Sequence, residues 1–179
     1  MHPSFQLILG GARSGKSHYA LSQGDESSFA SRLFLATASP GDEEMVQRIK
    51  THQRERGSQW QTLEAPYHLG EALQGLGEIP KDLLVIDCAT LWISNLLCGM
   101  GGNALGPSEI LLEFEKLFQV LSLIKGKTRL VSNEVGLGIV PESLLGRQFR
   151  DLQGTFNQRA AAFAGQVIVM TAGLPQKLK

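Results

Sequence analysis

Short apolar runs alternate along the chain with amphipathic stretches of helical periodicity. The runs have the length and composition of buried strands, and they cover residues 5–9, 32–37, 83–87, 128–133 and 166–171. The spacing of apolar positions between them predicts helices over residues 16–23, 43–56, 67–75, 90–98, 108–124 and 143–164. A further, peripheral strand is predicted at residues 59–63. This alternation predicts an α/β fold with a mostly parallel central sheet and helices on both faces.

Length and composition limit the possible classes of protein. A chain of 179 residues with 42% hydrophobic residues predicts one domain, residues 1–179, with a sizeable core. Seventeen basic and seventeen acidic residues balance, which argues against a nucleic-acid partner. The first residues do not resemble a signal peptide, and no apolar run reaches the roughly 18 residues of a membrane helix. We therefore expect a cytoplasmic protein, with Cys88 and Cys98 as reduced, packed thiols.

Ligands of open parallel sheets bind at the carboxyl ends of the strands, which directs attention to a few segments. These segments are residues 10–17, 36–44, 87–90, 133–138 and 172–173. The first has the spacing G-x-x-x-x-G-K-S directly between a predicted strand and a predicted helix, as the phosphate-binding loop requires. Its residues are Gly10, Gly11, Ala12, Arg13, Ser14, Gly15, Lys16 and Ser17.

The phosphate-loop pattern predicts a site for a nucleoside triphosphate. Backbone N–H groups and the start of the helix would face the phosphates, Lys16 would reach the β- and γ-phosphates, and Ser17 would help to hold Mg²⁺. Asp87 ends the apolar run LLVID, where an acidic side chain would lie close to the same metal. The alternative is that Asp87 caps the helix that begins near Thr90. The pattern indicates a nucleotide but not the reaction.

The segment DEEMVQRIKTHQRERG holds a histidine with two possible roles. His52 shares one helical face with Met45 and Ile49, while Arg48 and Arg56 each lie one turn away from it. In one interpretation, His52 packs at the rim of the core between solvated arginines. In the other, a neutral imidazole between phosphate-binding guanidinium groups attacks phosphorus and carries a nucleotidyl group covalently.

The motifs together resemble those of a known family. GGARSGKS, then LATASPGDEEMVQRIKTHQRERGSQWQTLE, then NEVGLGIVPESLLGRQFRDLQGTFNQR resemble, in this order, the bifunctional adenosylcobinamide kinase/adenosylcobinamide-phosphate guanylyltransferases of cobalamin synthesis. The resemblance implies a P-loop NTPase-like fold and two reactions. Adenosylcobinamide is phosphorylated with ATP or GTP, and GMP then passes from GTP to that phosphate through a guanylylated histidine. His52 falls at the position of that histidine.

The resemblance also implies a set of nucleotide contacts and an assembly. Besides the phosphate loop, the implied contacts are Ala36, Thr37, Ala38, Gln53, Arg54, Glu55, Arg56, Glu64 and Asp87. The family commonly has Ser in place of Ala38 and Glu in place of Asp87. Either Glu64 or Asp87 could accept hydrogen bonds from guanine. The implied partners are small molecules, with Mg²⁺ as the metal, and the implied assembly is a homo-oligomer, a trimer in the family.

Several alternatives stay open at this point. Residues 133–141 form either a mobile connector or part of the corrinoid site, with Glu134 as a metal or acceptor contact. The arginines of the last predicted helix, Arg147, Arg150 and Arg159, fit salt bridges or a subunit contact better than catalysis. The rival functions are a monofunctional P-loop small-molecule kinase and a non-catalytic GTP-binding switch.

Overall fold

A seven-stranded sheet forms the centre of the computed structural model, which describes residues 2–22, 29–39, 59–76, 82–100 and 102–179 together with Glu43 and Gln47. The strands are β1 (His2–Gly10), β2 (Arg32–Ala36), β3 (Gln61–Glu64), β4 (Leu83–Asp87), β5 (Lys127–Val131), β6 (Ala164–Thr171) and β7 (Leu174–Lys177). Their order across the sheet is β3-β2-β4-β5-β1-β6-β7. Every neighbouring pair is parallel except β6 and β7, which form an antiparallel hairpin.

Five helices connect these strands in the described part of the chain. They are α1 (Lys16–Ser22), α2 (Leu69–Gln74), α3 (Ala89–Cys98), α4 (Pro107–Leu123) and α5 (Leu144–Phe163). Among the described residues, none of the helices is long and apolar enough to span a membrane. Glu43 and Gln47 are helical, and the rest of the helix predicted over residues 43–56 lies outside the described residues.

The alternation of strand side chains divides the core between the two faces of the sheet. Leu7, Ile86 and Leu130 pack on one face against α2, α3, α4 and α5. Their neighbours Ile8 and Val131 point to the other face, where α1 packs. Both faces of each central strand are therefore buried, which explains why these strands are uninterrupted apolar runs.

Three aromatic rings form the centre of the core on the face of the sheet that α2, α3, α4 and α5 cover. Trp92 of α3, Phe114 of α4 and Phe156 of α5 are fully buried. Their ring centroids are 5.6 Å apart for Trp92 and Phe114, 5.8 Å for Trp92 and Phe156, and 4.9 Å for Phe114 and Phe156. Tilted and edge-on contacts at these separations are favourable, so the three helices are held in one layer under the sheet.

The predicted architecture is confirmed, and one strand was missed. All five apolar runs are strands, and the peripheral run QWQTL supplies the edge strand β3. The missed strand is β7, whose four residues are all exposed and include Pro175. A strand of this kind carries no apolar alternation, and a proline is tolerated there because β7 is an edge strand.

Candidate active site

The phosphate loop, residues 10–17, leaves the carboxyl end of β1 and enters α1. Gly10 has φ 149° and Gly15 has φ 93°, values that side chains disfavour. A Cβ atom on Gly10 would lie 2.5 Å from the carbonyl oxygen of Met170 and 2.7 Å from Ser14 Oγ. Glycine at position 10 is therefore required by a close approach between β1 and β6 as well as by the backbone conformation.

Two neighbouring loops hold the phosphate loop from either side. The Glu134 N–H, just beyond β5, donates to the Gly10 carbonyl at 3.1 Å. The Gly173 N–H, in the turn between β6 and β7, donates to the Ser14 carbonyl at 3.0 Å. These two strand ends were among the segments singled out from the sequence. Each supplies a backbone hydrogen bond that fixes the loop.

Lys16 turns back over the phosphate loop. Its Nζ donates to the Gly11 carbonyl at 2.5 Å and lies 3.4 Å from Ser14 Oγ, and the residue is buried. Burial lowers the pKa of the ammonium, whereas the negative charges that Cys88 and Asp87 can carry act in the opposite direction. The ammonium thus lies in the field of the carboxyl end of β4.

Two acidic side chains lie on one face of the sheet at its carboxyl edge. In the strand register, Ala36 is opposite Glu64 on one side and opposite Asp87 on the other. Leu63 packs on the face of the sheet that α2, α3, α4 and α5 cover. Side chains alternate along a strand, so Glu64 points to the opposite face, where α1 packs, and Ala36 and Asp87 point to that face as well. Two strand spacings separate Glu64 from Asp87, about 10 Å between Cα atoms. Glu64 is thus the more distant of the two acids from Lys16.

Thr37 connects the ends of β2 and β4. Its hydroxyl donates to the Cys88 carbonyl at 2.8 Å and accepts from the Cys88 N–H at 2.7 Å. Its own N–H donates to the Asp87 carbonyl at 3.2 Å, and its carbonyl accepts from Asn95 Nδ2 at 2.8 Å. The nucleotide contacts predicted for Ala36, Thr37 and Ala38 stay predictions, but Thr37 demonstrably shapes the edge of the site.

The N-cap of α3 is Cys88, so the alternative that Asp87 caps this helix is wrong. The Cys88 Sγ accepts from the Leu91 N–H at 3.5 Å. Burial, reinforced by the Asp87 charge, raises the pKa of this thiol to about 12. The expectation of two packed thiols also needs correction, because Cys98 is exposed at the end of α3.

A buried network of amides and hydroxyls, which the sequence motifs did not predict, fixes the backbone after β5. Asn157 Nδ2 on α5 donates to the Asn133 carbonyl at 3.0 Å. Asn157 Oδ1 accepts from Ser132 Oγ at 2.7 Å and from Gln153 Nε2 at 3.0 Å. On the other side, Thr90 Oγ1 accepts from the Asn133 N–H at 2.8 Å. The i, i+4 spacing of Gln153 and Asn157 within an apolar helix face was the available signal.

Other predicted residues fall away from the site or outside the described chain. His52, Gln53, Arg54, Glu55 and Arg56 lie outside the described residues. On α5, Arg159 pairs with Glu115 at 2.6 Å, as a salt-bridged arginine was expected to do, while Arg147 donates to the carbonyls of Pro141 and Glu142.

Comparisons with known proteins identify the family of this chain. The model of the family described as "Cobinamide kinase / cobinamide phosphate guanyltransferase" matches residues 6–178. A bifunctional adenosylcobalamin biosynthesis protein CobP of Pseudomonas aeruginosa is 43% identical over 97% of this chain and 96% of its own length. The corresponding protein CobU of Escherichia coli is 38% identical over 97% of this chain and 98% of its own length. The chain belongs to this family, as the sequence motifs predicted.

The environments of the two cysteines predict different reactivity towards a thiol reagent at pH 7.5. Cys98 is exposed and should react at once, whereas Cys88 is buried with a raised pKa and should react only when the protein unfolds. Titration with a chromogenic disulfide should therefore give one thiol in the native protein and two in denaturant. A Cys98→Ser variant should show none in the native state, and fast labelling of that variant would contradict the assignment.

Proposed function

We propose that this chain catalyses two successive reactions on one corrinoid substrate. It phosphorylates the hydroxyl of adenosylcobinamide with ATP or GTP, and it then transfers GMP from GTP to the new phosphate, which gives adenosylcobinamide-GDP and pyrophosphate. The observation that supports this most directly is the phosphate loop at the end of β1, with Lys16 buried over it and Asp87 at the end of β4, in a chain whose family match runs from residue 6 to residue 178. A monofunctional kinase or a GTP switch would share the loop but not the second reaction.

The kinase reaction requires positioning of the triphosphate and compensation of its charge. The N–H groups of the phosphate loop and of the first turn of α1 bind the β- and γ-phosphates, and Lys16 leaves the Gly11 carbonyl to bind them as well. Asp87, the acid assigned to the metal on these phosphates, lies at the end of β4, so in this scheme the γ-phosphate end of the nucleotide faces β4.

The donor set at this edge fits Mg²⁺ that arrives with the nucleotide. Mg²⁺ prefers hard oxygen ligands and keeps most of its coordination for phosphates and water. Ser17 offers a hydroxyl at the start of α1, and Asp87 offers a carboxylate on the same face of the sheet. Within the described residues there is no cluster of three metal-binding side chains, so these residues supply few of the ligands of Mg²⁺. When bound, Mg²⁺ neutralises charge on the phosphates.

The guanylyl transfer proceeds in two displacements on His52. The neutral imidazole attacks the α-phosphorus of GTP, a nitrogen–phosphorus bond forms, and pyrophosphate leaves. An oxygen of the phosphorylated acceptor then attacks the same phosphorus, and the histidine is restored. The surrounding predicted contacts, Gln53, Arg54, Glu55 and Arg56, bind the nucleotide phosphates and sugar in this scheme.

The relative positions of the two acids support a division of work between them. The Asp87 charge acts on Lys16, so we assign Asp87 to the phosphates, whereas Glu64 lies two strands away from Asp87 at the end of β3. A carboxylate can accept hydrogen bonds from the N1–H and the 2-amino group of guanine. Glu64 is therefore the residue that we assign to recognition of guanine over adenine.

The surface next to the site supports assembly of the chain into a homo-oligomer, which is a trimer if the family resemblance holds for assembly. An apolar segment after β5 is highly exposed, with Leu137 at 90%, Ile139 at 95% and Val140 at 62%. Leu144 and Leu145, at the start of α5, extend it. Contiguous exposed apolar side chains of this kind are typical of protein interfaces. A second copy of the chain is the partner that the family resemblance implies.

The histidine mechanism predicts covalent labelling of the protein. With Mg²⁺ and GTP labelled at the α-phosphate, the denatured protein should retain acid-labile, base-stable label, and a His52→Ala variant should retain none. GTP labelled only at the γ-phosphate should leave no label. The His52→Ala variant should still phosphorylate adenosylcobinamide. If the protein binds GTP but retains no label, the covalent mechanism is wrong and the remaining functions are a monofunctional kinase or a GTP-binding switch.

The assembly predicts a mass in solution of about three chains by light scattering. An Ile139→Asp substitution, which places a charge in the exposed apolar segment, should shift that mass towards one chain because a buried unpaired charge is costly. Leu123→Asp, at an exposed leucine of α4 away from this segment, is the matched control and should leave the mass unchanged. An Ile139→Asp protein of wild-type mass would contradict this interface.

A further inference from the structure

We infer that Glu134 is the base of the kinase reaction, and that Asn157 is the positioning residue that holds the Glu134 backbone against the phosphate loop. The inference rests on the proposed function and assigns a residue to its first reaction. It starts from the place of β5 in the sheet, between the Asp87 strand β4 and the phosphate-loop strand β1. The residues that follow β5 therefore lie between Asp87 and the phosphate loop.

The orientation of the triphosphate brings the reacting phosphorus to this place. Lys16, which binds the β- and γ-phosphates, lies at the start of α1, and Asp87, the acid assigned to the metal on these phosphates, lies at the end of β4. The γ-phosphate end of the nucleotide therefore points from β1 towards β4. The end of β5 is directly beneath that path, because parallel strands present their carboxyl ends at the same edge. The acceptor hydroxyl must approach the γ-phosphorus in line with the leaving oxygen, above the residues that follow β5.

Every backbone N–H from Ser132 to Glu134 is fixed by a neighbouring element. Ser132 donates to the Ile8 carbonyl at 2.9 Å, Asn133 to Thr90 Oγ1 at 2.8 Å, and Glu134 to the Gly10 carbonyl at 3.1 Å. The Asn133 carbonyl in turn accepts from Asn157. The segment is thus attached to β1, α3, α5 and the phosphate loop at once. A catalytic group held in this way keeps its geometry without further ordering.

Glu134 carries the appropriate chemistry at this position. At the described ends of β1, β4, β5 and β6, the carboxylates are Asp87 and Glu134. Asp87 serves the phosphates through its proximity to Lys16, which leaves Glu134 for the acceptor. The Glu134 side chain is half-buried, and its Oε1 accepts from the Gly136 N–H at 3.2 Å, so its second oxygen can accept a proton from a hydroxyl.

The step is balanced with the substrates of the kinase reaction. The acceptor O–H gives its proton to the Glu134 carboxylate while its oxygen forms a bond to the γ-phosphorus. The bond between the γ-phosphorus and the β–γ bridging oxygen breaks, and the nucleoside diphosphate leaves with that electron pair. The proton then passes from Glu134 to water, which restores the carboxylate.

Separate assays of the two reactions test the role of Glu134. In a Glu134→Gln variant, formation of adenosylcobinamide phosphate should lose about 10²–10⁴-fold in kcat, the usual contribution of a general base, with the KM for the nucleotide unchanged. Covalent labelling by GTP, and guanylyl transfer to supplied adenosylcobinamide phosphate, should continue at wild-type rates. Glu134→Asp, which keeps a carboxylate, should recover part of the lost kcat.

Two further variants separate chemistry from scaffold. Glu115→Gln removes the same charge from an exposed pair on α4 and should leave both reactions unchanged. Asn157→Ala, with the fold checked by circular dichroism, should lower the kinase kcat and spare the labelling reaction. Wild-type kinase kcat in Glu134→Gln, or equal loss of both reactions, would overturn the inference. Failure of the proposed function would instead appear in the wild-type protein, as missing label or missing kinase product.

Discussion

The close approach of β1 and β6 at their carboxyl ends is the constraint on which the site depends. Gly10 lies opposite Met170 in the register, and there is no room for a Cβ atom between them. The chain leaves β1 at this point with a positive φ at Gly10, and the loop is held by hydrogen bonds from the Glu134 N–H to the Gly10 carbonyl and from the Gly173 N–H to the Ser14 carbonyl. The loop that receives the phosphates is therefore shaped by its neighbours before any nucleotide binds.

Buried polar groups fix the strand ends that surround the phosphate loop. An amide or hydroxyl inside a protein is costly unless it is hydrogen-bonded, and pairing also fixes its direction. The hydrogen bonds of the Thr37 hydroxyl join β2 to the turn after β4. The hydrogen bond from the Asn157 side chain joins α5 to the segment after β5. The strand ends around the phosphate loop are consequently held by side chains that do not themselves belong to a catalytic motif.

Features of the fold and the site that depend on local sequence patterns could be predicted, whereas those that depend on tertiary contacts could not. The central strands are buried on both faces and the phosphate loop is a local pattern, so both were evident from the sequence. The strand β7 was missed because its pairing with β6 depends on position at the sheet edge and not on apolar content. The Asn157 network was also missed, since Ser132 and Asn133 lie far from Asn157 in sequence. Cys88 was missed as a helix cap because cysteine is not among the usual N-cap residues.

The central claim is that the glycine contact between β1 and β6 creates the nucleotide site, and equilibrium binding of GTP to a Gly10→Ala variant tests it most directly. The added Cβ atom must displace the Met170 carbonyl, so we expect GTP affinity to fall by about 100-fold or more, equivalent to roughly 3 kcal/mol. Gly154→Ala on α5, where a Cβ atom meets nothing within 4 Å, should bind GTP as the wild type does. Wild-type affinity in a folded Gly10→Ala protein would contradict the account.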